Sequence, residues 1–140
     1  MKHLKIFTSL LVLLLFLTAC DDKIVSKYYL KIQSHLSIDS IQLESIYPEI
    51  QNKLNQAIKN EKLTINESAK YSIKVDYLNY KKACNNPMTS AYDATFSGFI
   101  RLTLLEDSKR IYMCQKEFRG ELNVSDFEKL LILMRDDLEF

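Results

Sequence analysis

Apolar side chains recur along this chain with two different periods. Tyr28, Leu30 and Ile32 alternate with Tyr29, Lys31 and Gln33, which predicts a strand continuing towards Leu36 and Ile38. Ile46, Ile50, Leu54, Ala57 and Ile58 fall instead at helical spacing. Pro48 fits only a first turn, where its missing N–H costs nothing, so that helix is expected from about Tyr47 to Asn60. Tyr71, Ile73, Val75 and Tyr77 alternate with polar residues as a second strand, and 81–90, with Asn85-Asn86-Pro87, reads as a loop. Tyr92, Ala94, Phe96, Gly98, Ile100, Leu102 and Leu104 share one face of a long third strand. Glu106-Asp107-Ser108-Lys109 turns it into a fourth, about Arg110 to Phe118. Ser125-Asp126-Phe127-Glu128 matches a capping box ahead of the stripe Phe127, Leu130, Leu131, Met134 and Leu138.

The order is therefore β-α-β-β-β-α. The expected fold is α+β, a two-layer domain with a mostly antiparallel four-stranded sheet and two helices packed on one face. Matching apolar faces sets Ile111 opposite Leu104 and Met113 opposite Leu102 in the last hairpin. The same matching sets Ile73 opposite Leu102, Val75 opposite Ile100 and Tyr77 opposite Gly98 in the one before. The other face would then show Thr95, Ser97, Phe99, Arg101 and Thr103.

The N-terminus follows different rules. Lys2, His3 and Lys5 precede an apolar run from Ile6 to Leu17, shorter than the ~20 helical residues that cross a bilayer core. The run ends in Leu17-Thr18-Ala19-Cys20, which resembles the lipobox of bacterial lipoproteins. The resemblance implies cleavage between Ala19 and Cys20 and acylation of the Cys20 sulfur, and usually of the new amino group. Residues 1–19 are then a removed signal peptide, 20–27 a lipidated tether, and 28–140 one periplasmic domain. Asp21 and Asp22 resemble the enteric signal that retains lipoproteins in the inner membrane.

Charge narrows the partners. The chain carries 19 Lys+Arg against 18 Asp+Glu. Losing Lys2 and Lys5 leaves the domain near neutral, with no field to gather nucleic acid. In an oxidising compartment Cys84 and Cys114 form a candidate disulfide, worth ~3–4 kcal/mol for a loop of about 30 residues. The register opposes it, because Cys114 lies level with Arg101 and Lys74, far along the strand from Cys84. Bonding then requires the 79–91 loop to fold over the open face, with free thiols or an intermolecular bond as alternatives.

Catalytic and metal-binding patterns are absent from the sequence. His35 is the one histidine past residue 19, and no HExxH, CxxC, GxSxG or phosphate-cradling glycine loop occurs. No enzyme, metal or cofactor is expected. Asp136, Asp137 and Glu139 make an acidic end to the last helix, read as a solvated tail, and the eight tyrosines are read first as sheet core and edge. Two functions remain. One is a membrane-anchored, non-catalytic lipoprotein that binds a protein partner in an envelope assembly, transport or secretion machine. Its element order is similar to that of small envelope lipoproteins such as the lipopolysaccharide-assembly lipoprotein. The other is a carrier or sensor of a small apolar ligand held between sheet and helices.

Overall fold

The computed structural model describes residues 24–29, 36–44, 47–80 and 96–140, and among these residues the apolar rows and stripes become eight elements. In chain order they are β1 (Ile24–Tyr28), β2 (Ser40–Glu44), α1 (Pro48–Asn60), β3 (Thr64–Ile65), β4 (Tyr71–Asn79), β5 (Gly98–Glu106), β6 (Lys109–Phe118) and α2 (Val124–Leu138). The strands form one sheet in the order β1-β6-β5-β4-β2-β3. β2 runs parallel to β3 and β4, and the remaining pairs are antiparallel.

The α+β class and the two helices are as expected; the sheet is not. Among the described residues it has six strands rather than four, and it is mixed. Ile41 and Leu43 alone are too few apolar residues to announce β2, which gains its partner only because α1 carries the chain across to a parallel β4. Ile24–Lys27, expected as tether, already form most of β1, and residues 30–35 of the expected first strand lie outside the described residues.

Pro48 stands in the first turn of α1 after Tyr47, and Ile50, Leu54, Ala57 and Ile58 form its buried stripe. Lys62 ends it in the left-handed region at φ 59°, letting the Leu63 N–H reach Ile58 O at 3.1 Å. The capping box of α2 begins two residues before the expected one. Asn123 is its N-cap, and the Asn123 N–H donates to Asp126 Oδ2 at 2.9 Å. Three polar links join the helices and their ends: Asn60 Nδ2 to Glu128 Oε1 (2.6 Å), Arg135 to Glu61 (2.7 Å) and Lys53 Nζ to Leu122 O (2.7 Å).

The β4–β5 register differs from expectation by two residues, with Ile73 opposite Leu104, Val75 opposite Leu102 and Tyr77 opposite Ile100. A shift of two preserves each side chain's face. The β5–β6 register differs by one beyond an irregularity at Leu104/Leu105, which sets Leu104 opposite Tyr112 and Leu102 opposite Cys114. That shift reverses the face of every residue it touches. Tyr112, Cys114, Lys116 and Phe118 point under the helices, and Met113, Gln115 and Glu117 point away. Both helical stripes and the inner residues of β4, β5 and β6 make one core. Each fully buried Leu, Ile or Phe in it contributes ~1.5–3 kcal/mol.

Candidate functional site

β3 pairs with only Ser40 and Ile41 of β2, and the Asn66 N–H closes that pairing on Ile41 O at 2.9 Å. Backbone groups alternate in direction along a strand, so Leu43 turns its N–H and C=O to the same outer side as Ile41. Among the described residues no strand lies beside it there. A cleft of about 530 Å³ opens at this edge, lined by Gln42 and Leu43 of β2, Gln51 and Asn55 of α1, and Ile65 and Glu67.

The lining has a definite chemistry. Three carboxamides offer both donors and acceptors, Leu43 and Ile65 offer an apolar floor, and Glu67 adds a negative charge. Ile65 is 46% exposed, unusual for an isoleucine in a strand. Among the described residues, Asn55 Oδ1 is a buried side-chain oxygen that finds no hydrogen-bond partner. An extended peptide laid along the β2 edge would meet main chain at Leu43 that has no strand partner among the described residues, and carboxamides suited to its other amide groups. Among the described residues that line this edge, none forms a nucleophile with an adjacent base.

A second polar corner joins the far edge to the end of α2. The Tyr112 hydroxyl donates to Asp137 Oδ2 at 2.6 Å, and the Tyr28 hydroxyl donates to Asp137 O at 2.9 Å. The two rings meet edge to face at 5.3 Å. Burial, reinforced by Asp137, pushes the Tyr112 hydroxyl far above the ordinary phenol range. Asp137 is therefore a partner to the sheet rather than part of a solvated tail.

The residues singled out from the sequence fare unevenly. Leu17, Thr18, Ala19, Cys20, Asp21, Asp22, His35 and Cys84 lie outside the described residues. Cys114 was expected on the open face; it points into the core instead, fully buried, and its thiol lies 3.5 Å from Leu130 O. It is a free thiol, and burial pushes its pKa up to about 12. The cause of the reversal is the one-residue register change in β6. Among the tyrosines, Tyr71 and Tyr112 are buried, Tyr47 and Tyr77 pack against the core, and Tyr28 and Tyr29 are exposed.

The layer between sheet and helices, where an apolar ligand would be carried, is occupied by Leu54, Ile58, Ile73, Leu102, Phe127 and Leu130, all under 2% exposed. The cleft lies outside that layer. Among the described residues no His, Cys, Asp and Glu side chains group as metal ligands, and no helix is long and apolar enough to cross a membrane. The edge cleft could not be read from the sequence, because Gln42, Gln51, Asn55 and Glu67 look like ordinary solvated positions until α1 folds against β2. No family model matches the chain, and no curated protein matches it.

Proposed function

We propose that this chain is a lipid-anchored protein of the bacterial cell envelope that binds a protein partner and catalyses no reaction. Cys20 carries the acyl chains, and the domain works on the periplasmic side of the membrane. Asp21 and Asp22 favour the inner membrane where enteric-type sorting applies. The partner belongs to an assembly, transport or secretion machine, and it docks an extended segment at the cleft beside Leu43.

The anchor rests on Leu17-Thr18-Ala19-Cys20 following a basic start and a short apolar run. Partner binding rests on a single observation, the outer edge of β2, which beyond Ile41 has no strand partner among the described residues and opens into a carboxamide-lined cleft. Attachment by two or three acyl chains, at ~0.8 kcal/mol per buried CH₂, is effectively permanent.

Two measurements test the two halves separately. Cys20→Ser is expected to abolish processing after Ala19 and to remove the acyl mass; a Ser variant cleaved at the same bond and still bound to membranes refutes the anchor. A photo-crosslinking residue at Ile65, in the native host, is expected to trap one protein that the same residue at Ile132 does not. Equal trapping at both positions refutes the docking edge.

A further inference from the structure

The opposite edge of the sheet carries a different chemistry. β1 is set by its register with β6: Tyr28 lies opposite Tyr112 and turns to the helix side, where it meets Tyr112 and Asp137. Val25, Lys27 and Tyr29 therefore turn the other way. Val25 is 47% exposed and Tyr29 36%. Lys27 Nζ and Arg110 Cζ each stand 5.0 Å from the centre of the Tyr29 ring. Their β6 neighbours on this face, Met113 and Gln115, are uncharged. Arg101, next across the sheet, is held by Gln115 Oε1 at 2.7 and 2.9 Å, with Asp76 opposite it on β4.

We propose that this face, Val25, Lys27, Tyr29 and Arg110, rests on the anionic surface of the bilayer and holds the anchored domain in one orientation. The inference depends on the lipid anchor proposed above. Cys20 precedes Ile24 by four residues, a reach of at most ~14 Å. That is shorter than β1 itself, about 17 Å for five residues at ~3.3 Å each. Of all the strands, β1 is the one that the anchor must keep at the headgroups.

The side chains suit that place. A tyrosine ring with cations around it matches the headgroup layer, where rings sit among the acyl ends and long basic side chains reach the phosphates. Two cations drawn to one ring repel each other, and anionic headgroups relieve that repulsion. A second copy of this chain is the rival occupant, since an exposed edge strand invites edge-to-edge pairing. The same cations disfavour it, because two such edges would face Lys27 and Arg110 with their own kind.

The chain has no tryptophan, so Tyr29→Trp supplies a single fluorescent reporter in the full acylated protein. The reporter is read in phosphatidylcholine vesicles, with or without phosphatidylglycerol, that contain brominated acyl chains. Strong quenching is expected with phosphatidylglycerol, and little from the control Ile132→Trp on the outer side of α2. Lys27→Gln and Arg110→Gln, checked for an unchanged thermal melt, should each weaken the surface contact about fivefold. A reporter at 29 quenched no more than one at 132, in protein whose intact mass shows acylation, overturns the orientation alone. Chemical crosslinks joining β1 to β1 of another copy overturn it in favour of a dimer. An intact mass without acyl chains overturns the anchor, and this inference with it.

Discussion

Lys116 Nζ lies 2.7 Å from Asp126 Oδ1, an ion pair that joins β6 to the first turn of α2, with the lysine side chain only 3% exposed. Asp126 divides its two oxygens. Oδ1 takes the ammonium, and Oδ2 accepts the Asn123 N–H at the helix N-cap. The carboxylate also sits where the helix dipole favours negative charge. Removing one member of a buried pair typically costs ~3–5 kcal/mol, of which the Asn123 N–H and the helix dipole return part to Asp126. Lys116→Met is therefore expected to be severely destabilising in urea titrations, and the double variant Lys116→Met/Asp126→Asn to recover much of the loss. A double variant no better than the single one would show that the pair is not what holds this corner.

Alkaline pH should expose the other buried groups of β6. Burial first, then Asp137, raises the Cys114 pKa to about 12, and burial first raises Tyr112 further still. Both groups are held neutral in the folded chain. Once pH passes the ordinary thiol value, the unfolded chain loses a proton that the folded chain keeps. Stability from this source is complete below about pH 9 and falls as pH rises from there towards 12, by up to ~1.4 kcal/mol per pH unit for each group titrating only when unfolded. Cys114→Ala should flatten the first part of that limb in denaturant titrations between pH 8 and 11. Native protein should also resist alkylation at Cys114 until denaturant is added; rapid labelling of that thiol without denaturant contradicts the burial.

Gly98 begins β5 against Asn79 on one side and Phe118 on the other. A Cβ added there would collide with the carbonyl oxygen of Leu78 and come within 2.7 Å of the Phe118 ring. The first obstacle is main chain and cannot swing aside. Gly98→Ala should cost at least the ~1–3 kcal/mol typical of overpacking, seen as a lowered melting temperature. Gly120→Ala is the control of opposite kind: it has open space around its Cβ position but a φ of 68°, so its penalty is backbone strain alone.

How far the sequence carries can be judged on β6. Arg110–Phe118 was recognisable as a strand, and so was its hairpin with β5, because Asp107 and Ser108 accept the left-handed φ of 47° and 65° that a two-residue turn demands. Its facing was not recognisable. Ile111 and Met113 make one apolar row; Tyr112, Cys114 and Phe118 make another, interrupted by Lys116. A lysine argues for solvent unless its partner is known, and Asp126 becomes that partner only in the tertiary fold. The helices were legible for the opposite reason: Pro48 and the stripes of α1 and α2 are local signals. β2 and β3 depend on parallel pairing between distant segments, so the cleft at their edge stayed hidden with them.

That cleft yields the last prediction, at Asn55. Its Oδ1 is a buried acceptor that meets no donor among the described residues, and leaving such a group unpaired costs ~1–3 kcal/mol. A residue kept only for stability would hardly be asparagine in the middle of a helix, where leucine has the better propensity and similar bulk. Asn55→Leu is expected to raise the unfolding free energy by about 1 kcal/mol. In the Ile65 photo-crosslinking experiment the same change should reduce partner capture, since the carboxamide is then missing from the cleft. Stabilisation together with lost capture is the signature of a polar group retained for binding at the expense of the fold. Asn55→Leu that destabilises the protein while leaving capture intact would refute the docking role of this residue.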